Sequence, residues 1–149
     1  MDLMLGRHVR EHGHRSGRLA GFELEPATSR ITRIIFSRDG NLGAQAMTRP
    51  LSAVEITASG VELRAEVAAP VPAESDVVLL SRSTRIVRRG SDRGRLVGIA
   101  VDPATQRMLS ISGRQHWFTG RFTVPIADLD CSQAGEIRIS DQSHDTRAA

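Results

Sequence analysis

Lysine and tyrosine are missing from this 149-residue chain, and all 20 basic residues are arginine. A GC-rich genome would account for much of that bias. Arginine still differs physically from lysine, because its planar fork suits carboxylates, phosphates and aromatic faces. The single cysteine, Cys131, excludes an internal disulfide and suits a reducing, cytoplasmic setting. No apolar run approaches the roughly 20 residues of a membrane span. The first residues, Met1 to Arg7, lack a basic and then long apolar leader, so no signal peptide is predicted. A net charge of +3 is mild and does not by itself make a nucleic-acid binder.

What the chain does contain is a repeat. The 15 residues from Gly17 to Ile31 return 77 positions later, from Gly94 to Met108, with eight identities. Pro50 to Val54 then matches Pro125 to Leu129 at a spacing of 75, so the intervening loop is two residues shorter in the second copy. Gly60 to Leu63 against Gly135 to Arg138 keeps that second spacing. The expected organisation is a first unit over 1–66, a Pro/Ala linker over 67–76, a second unit over 77–140 and a loose polar tail over 141–149. Halves this small bury only about 60% of their unfolded surface, so they are expected to pack on each other through an apolar interface.

Strand signals dominate both copies: short runs rich in Ile, Val, Leu, Phe and Thr, punctuated by Gly and Pro. Six strands are predicted per copy. They cover Leu3 to Arg10, Arg18 to Glu25, Arg30 to Ser37, Met47 to Arg49, Val54 to Thr57 and Val61 to Ala65 in the first. In the second they cover Val77 to Arg88, Arg95 to Asp102, Gln106 to Ser112, Phe118 to Val124, Ile126 to Asp130 and Glu136 to Ser140. Leu51 to Val54 and Ile126 to Leu129 have room for one helical turn. Glu25-Pro26-Ala27-Thr28 and Asp102-Pro103-Ala104-Thr105 read as hairpin turns. The acid accepts a backbone hydrogen bond and a trans proline presets φ at the second position. Ser29 and Gln106 follow these turns where a glycine would be easiest, so they must adopt a left-handed conformation or use another turn. The fold class is therefore all-β, two small barrels in tandem related by an approximate two-fold.

The pattern Gly-Arg-Leu-x-Gly, a hydrophobic strand ending in Asp-Pro-x-Thr-x-Arg, and Val-Pro-Ile-x-x-Leu before a last strand resembles the PRC-barrel family. That family includes the cytoplasmic domain of the photosynthetic reaction-centre H subunit and the C-terminal domain of a bacterial ribosome-maturation factor. Gly94, Gly98, Asp102, Pro103, Thr105, Arg107, Val124, Pro125 and Leu129 carry the resemblance. The first copy departs from it at Glu25 and Arg49. The resemblance implies tandem PRC-like barrels and docking onto protein assemblies in bacteria, and it transfers no catalytic residue.

No Walker loop, nucleophile elbow or Cys-x-x-Cys is present, and Cys131 has no neighbouring base in the sequence. No cofactor is expected and the chain reads as non-enzymatic. His8, His12 and His14 would share a face of an unbroken strand and are weak metal candidates, but Gly13 is placed to start a turn and break the alternation. Arg82, Arg85, Arg88, Arg89, Arg93 and Arg95 crowd into 14 residues, opposed only by Asp92. They read either as a charged strand edge or as a surface for an anionic partner. Without aromatics for base stacking the cluster argues against sequence-specific RNA reading. The second copy alone has Trp117 beside Phe118, in a loop that diverges from the first. Trp117 caps its barrel, fills the interface between copies or anchors a partner. The first reading is a protein-interaction or scaffold module using Trp117, Phe118, Arg82, Arg85, Arg88 and Arg89, with homo-oligomerisation left open. The alternative is an RNA- or ribosome-associated factor that meets nucleic acid, or another anionic surface, through the arginines.

Overall fold

The computed structural model describes residues 1–43, 45–58, 60–64, 76–116 and 119–140, together with the backbone of 146–147. The fold is all-β. Seven strands precede the linker: β1 (Asp2–Met4), β2 (His8–Glu11), β3 (His14–Glu25), β4 (Arg30–Ser37), β5 (Met47–Pro50), β6 (Val54–Thr57) and β7 (Gly60–Leu63). Eight follow: β8 (Val78–Ser81), β9 (Arg85–Arg88), β10 (Ser91–Val101), β11 (Met108–Arg114), β12 (Phe122–Pro125), β13 (Leu129–Gln133), β14 (Glu136–Ile139) and β15 (Thr146–Arg147). Among the described residues the helical structure is two single 3-10 turns, Leu51–Ala53 and Ile126–Asp128. These are the two places where the sequence leaves room for a turn.

The strands form two sheets. The first runs β5-β4-β3-β2-β7-β6 with β8 also on β3, and the second runs β13-β14-β9-β10-β11-β12-β15 with β1 also on β10. In each, a single 3-10 turn joins strands far apart in the order, β5 to β6 and β12 to β13, and one of the two sheets curls into a half-barrel. Pro50 and Pro125 end β5 and β12 at these corners, where no ladder N–H is required.

Four expectations are corrected. Leu3 to Arg10 is not one strand, because a turn at Leu5–Gly6, with Gly6 at φ 84°, separates β1 from β2. Val77 to Arg88 is likewise broken at Arg82–Ser83, where the Thr84 hydroxyl accepts the Ser81 N–H at 2.9 Å. The residues at each break, Gly6-Arg7 and Ser81-Arg82-Ser83-Thr84, are of types that also occur inside the strands, so composition alone hides the turn. The polar tail is not wholly loose, since Thr146 and Arg147 pair with Thr123 and Phe122. Finally, the last strand does not keep the spacing of 75. Val61 pairs with Val9 and Ile137 with Ile86, so Val61 corresponds to Ile137, 76 positions on. The extra residue is a bulge in β13 between Asp130 and Gln133. Asp130 Oδ1 accepts both the N–H and the hydroxyl of Ser132 there, at 2.9 and 2.6 Å.

The short strands released by these turns cross over. β1 leaves the strands that follow it and pairs with β10, Leu3 opposite Ile99. β8 pairs with β3, Leu80 opposite Phe22. Adding 77 to the first member of each pair in one half gives its counterpart in the other. The bulges obey the same rule: Ser16, Ala20 and Thr32 are the extra residues in the first half, and Arg93, Val97 and Leu109 in the second. The hairpin turns also match, with His12 at φ 53° and Arg89 at φ 52°, each followed by a positive-φ glycine. Ser29 and Gln106 do take the left-handed conformation, at φ 59° and 62°.

This crossing explains the two glycines of the repeated Gly-Arg-Leu-x-Gly. A β-carbon on Gly17 would lie 2.4 Å from Ser37 O, and one on Gly94 would lie 2.5 Å from Arg114 O. These glycines let each long strand lie against its own neighbour. A β-carbon on Gly21 would lie 2.6 Å from Leu80 O, and one on Gly98 would lie 2.9 Å from Leu3 O. The second glycine therefore makes room for the strand arriving from the other half. Leu3 and Leu80 are fully buried, and one apolar cluster containing Leu3, Phe22, Leu80 and Ile99 runs through both halves.

Burying each such leucine contributes roughly 1.5–3 kcal/mol. Leu3→Ala and Leu80→Ala are each expected to cost about 2–5 kcal/mol. Both should lower the urea midpoint of one transition common to the whole chain. A loss confined to one half, leaving the other with an unchanged midpoint, would contradict mutual support through the crossed strands.

Candidate functional site

The arginine run of the second half is dispersed by the fold. Arg82 occupies the turn between β8 and β9 with its guanidinium over Gly6, whose β-carbon would lie 2.8 Å from Arg82 Nη2. Arg88 and Arg89 lie at the β9–β10 hairpin, and Arg93 is the bulge residue of β10. Arg85 and Arg95 are directly opposite across β9 and β10, and Arg95 is also opposite Arg114 across β10 and β11. Directly opposed residues of antiparallel strands share a face. Arg85, Arg95 and Arg114 therefore form one row across three strands. Arg85 and Arg95 are exposed and Arg114 is half-buried. Sequence reasoning missed Arg114, because it lies outside the run and only cross-strand register places it there.

Two acids border the row and both are already engaged. Asp92 accepts hydrogen bonds from Arg95 Nη1 at 3.1 and 3.0 Å, one to each oxygen, and from Gly94 N–H at 2.9 Å. The hydrogen bond from Arg95, then that from Gly94, holds the Asp92 carboxyl below its ordinary range, and the Arg95 and Arg85 charges act the same way. Glu136, opposite Arg85 on β14, pairs with Arg138 at 3.0 Å. Arg114 Nε is enclosed by protein without a hydrogen-bond partner. Such a buried donor costs about 1–3 kcal/mol. The corresponding positions of the first half are His8, Arg18 and Ser37, with His8 opposite Arg18 and Arg18 opposite Ser37. The row of three arginines is thus a property of the second half.

The histidines do not assemble. β2 ends at Glu11, His12 and Gly13 turn the chain, and His14 pairs back on Glu11 while His8 pairs with Arg18. Among the described residues no group of three His, Cys, Asp or Glu side chains could hold a metal. The Arg15 charge, followed by desolvation and the charges of Arg18 and Arg10, pushes the His8 pKa below its ordinary 6.5. Cys131 is buried, and burial followed by the Asp130 charge raises its thiol to about 12. Trp117 and Phe118 lie outside the described residues; the Thr119 hydroxyl accepts the His116 N–H and donates to the His116 carbonyl. No helix among the described residues is long and apolar enough to cross a membrane.

Two outcomes are expected. A histidine depressed in the fold is protonated first in the unfolded chain, so its contribution is whole above pH 6.5 and is lost as pH falls below that value. The urea midpoint should therefore drop between pH 7.5 and pH 5, and His8→Gln should flatten that slope. A thiol near pKa 12 carries almost no thiolate at pH 8. Cys131 should react with a disulfide reagent only as fast as the protein opens, and rapid labelling of the native chain would contradict its burial.

No protein-family model matches the chain, and a search of curated proteins finds none that matches it.

Proposed function

We propose that this chain is a non-enzymatic docking module of two PRC-barrel-type units in tandem, working in the bacterial cytoplasm. Its partner is a protein that presents an acidic surface to Arg85, Arg95 and Arg114. The observation that carries the reading is the row itself: three arginines in register on one sheet face, where Arg95 is held by Asp92 while Arg85 and Arg114 have no carboxylate partner among the described residues. Arginine forks on a rigid sheet suit carboxylates, and charge at an interface rim steers encounter and fixes orientation. The repeated glycines and the 77-residue correspondence of bulges and turns support the tandem reading.

The RNA-associated alternative uses the same cations but wants phosphate spacing along a strand and stacking aromatics. Neither Arg85, Arg95 nor Arg114 has an aromatic opposite it in the strand register. Affinity capture from the source cells with the wild-type chain and with Arg85→Glu/Arg114→Glu separates the readings. The expected result is an acidic protein retained by the wild type, released by the double variant and insensitive to nuclease. Arg85 is exposed, so Arg85→Glu alone should change thermal stability by less than about 1 kcal/mol, and because Arg114 is half-buried the double variant is first checked for a retained unfolding transition. Nuclease-sensitive material with a steep salt dependence would favour RNA instead.

A further inference from the structure

A second cationic feature lies where the halves meet, away from the arginine row. Arg30 and Arg107 form an isolated antiparallel bridge. The flanking hydrogen bonds run from Ile31 N to Gln106 O at 2.9 Å and from Met108 N to Ser29 O at 2.8 Å. Bonds made by the neighbours rather than by the bridged residues define the non-hydrogen-bonded type of pair. In that type the Cα atoms approach to about 4.5 Å and the side chains lie closest. Two arginines therefore leave the backbone side by side on one face, and like charges directly opposite are destabilising.

Each lies across its own turn from an acid, Glu25 opposite Arg30 and Asp102 beside Arg107. Both residues are exposed, and among the described residues no carboxylate is within ion-pair distance of either guanidinium. Glu25, the cross-strand neighbour of Arg30, accepts the Thr28 hydroxyl at 2.9 Å within its own turn. Asp102 Oδ1 is taken by the Ala104 N–H at 2.9 Å. The side-chain contact that is made is across the junction, where Arg30 Nη2 donates to Gln106 Oε1 at 3.1 Å. That bond leans the Arg30 guanidinium toward the second half and leaves four of its five donors for another acceptor.

We propose that Arg30 and Arg107 bind a tetrahedral oxyanion, inorganic phosphate or the head of a phosphomonoester, at the junction of the two halves. An antiparallel bridge has a local two-fold axis between its paired residues. A tetrahedral oxyanion has a two-fold axis of its own, with one oxygen–oxygen edge on each side, so each edge meets one guanidinium fork. A carboxylate has a single such edge and matches one fork. Charge-assisted bidentate contacts of this kind are the strong ones. The bound dianion also converts a repulsion at the junction into a link between halves.

The test is a titration of the full chain, followed by NMR at the arginine Nε–H groups and the backbone amides of Ile31 and Met108. Inorganic phosphate should give saturable shifts at these groups, and sodium chloride of equal ionic strength should not. Arg30→Gln and Arg107→Gln should each weaken binding about tenfold or more, the loss expected for charge-assisted hydrogen bonds. Arg30→Lys, which keeps the charge without the fork, should recover part of it. Arg85→Gln should leave binding unchanged, which keeps this site distinct from the docking row. A parallel titration with methyl phosphate identifies the source: equal affinity marks a phosphomonoester head, and weaker binding marks the free ion. Absence of saturation, equal shifts with chloride, or equal loss in Arg85→Gln would overturn the proposal.

Discussion

At Gly21 and Gly98 two backbones pass so closely that a β-carbon would lie 2.6 Å from Leu80 O in one case and 2.9 Å from Leu3 O in the other. Neither half can complete its sheet without the strand that passes there, because β8 belongs to the first sheet and β1 to the second. The exchange buries Leu3 and Leu80 against the opposite half and merges two small cores into one. For units of about 70 residues that merger is the physical answer to a poor ratio of core to surface. The turns at Gly6 and at Arg82–Ser83 exist to aim those strands, and the linker joins halves that already interlock.

The same crossing sets where charge can collect. Curling sheets need bulges, and each bulge shifts which side chains face outward. The extra residues Arg93 in β10 and Ser16 in β3 occupy matching places, yet the rows beside them differ. One is Arg85, Arg95 and Arg114, and the other is His8, Arg18 and Ser37. With His8 held neutral near pH 7 by Arg15 and its neighbours, the first row has far less positive charge. Two halves that share a backbone plan thus present electrostatically different faces. The junction adds a third arrangement, Arg30 beside Arg107, that neither half contains by itself.

Much of this was legible in the residues. Alternation, turn signals and the repeat predicted an all-β chain and most strand positions, left room for the paired single helical turns, and left Ser29 and Gln106 a choice between a left-handed backbone, which they take, and another turn. The breaks inside Leu3 to Arg10 and Val77 to Arg88 were not legible, because the Gly, Ser, Thr and Arg residues at them also occur inside strands such as β3 and β10. Arg114 was missed for a different reason. It stands 19 positions from Arg95, and adjacency in a sheet depends on register rather than on distance along the chain. The single-spacing alignment of Gly60 with Gly135 failed at the β13 bulge, which inserts a residue without disturbing either glycine.

What the sequence by itself determined was therefore local. Hydrophobic alternation, Gly and Pro placement and the 77-residue repeat act through contacts within a few residues, and they specify strands and turns wherever they occur. Which sheet each strand joins was decided only by the tertiary structure. A three-residue strand such as β1 can pair with its own half or with the other, and its own residues do not distinguish them. The choice falls to the depth of apolar burial and to the space left by Gly21 and Gly98, quantities that arise once both halves are present. The arginine groupings follow from that choice, since register across strands and across the junction brings together cations that the chain keeps far apart.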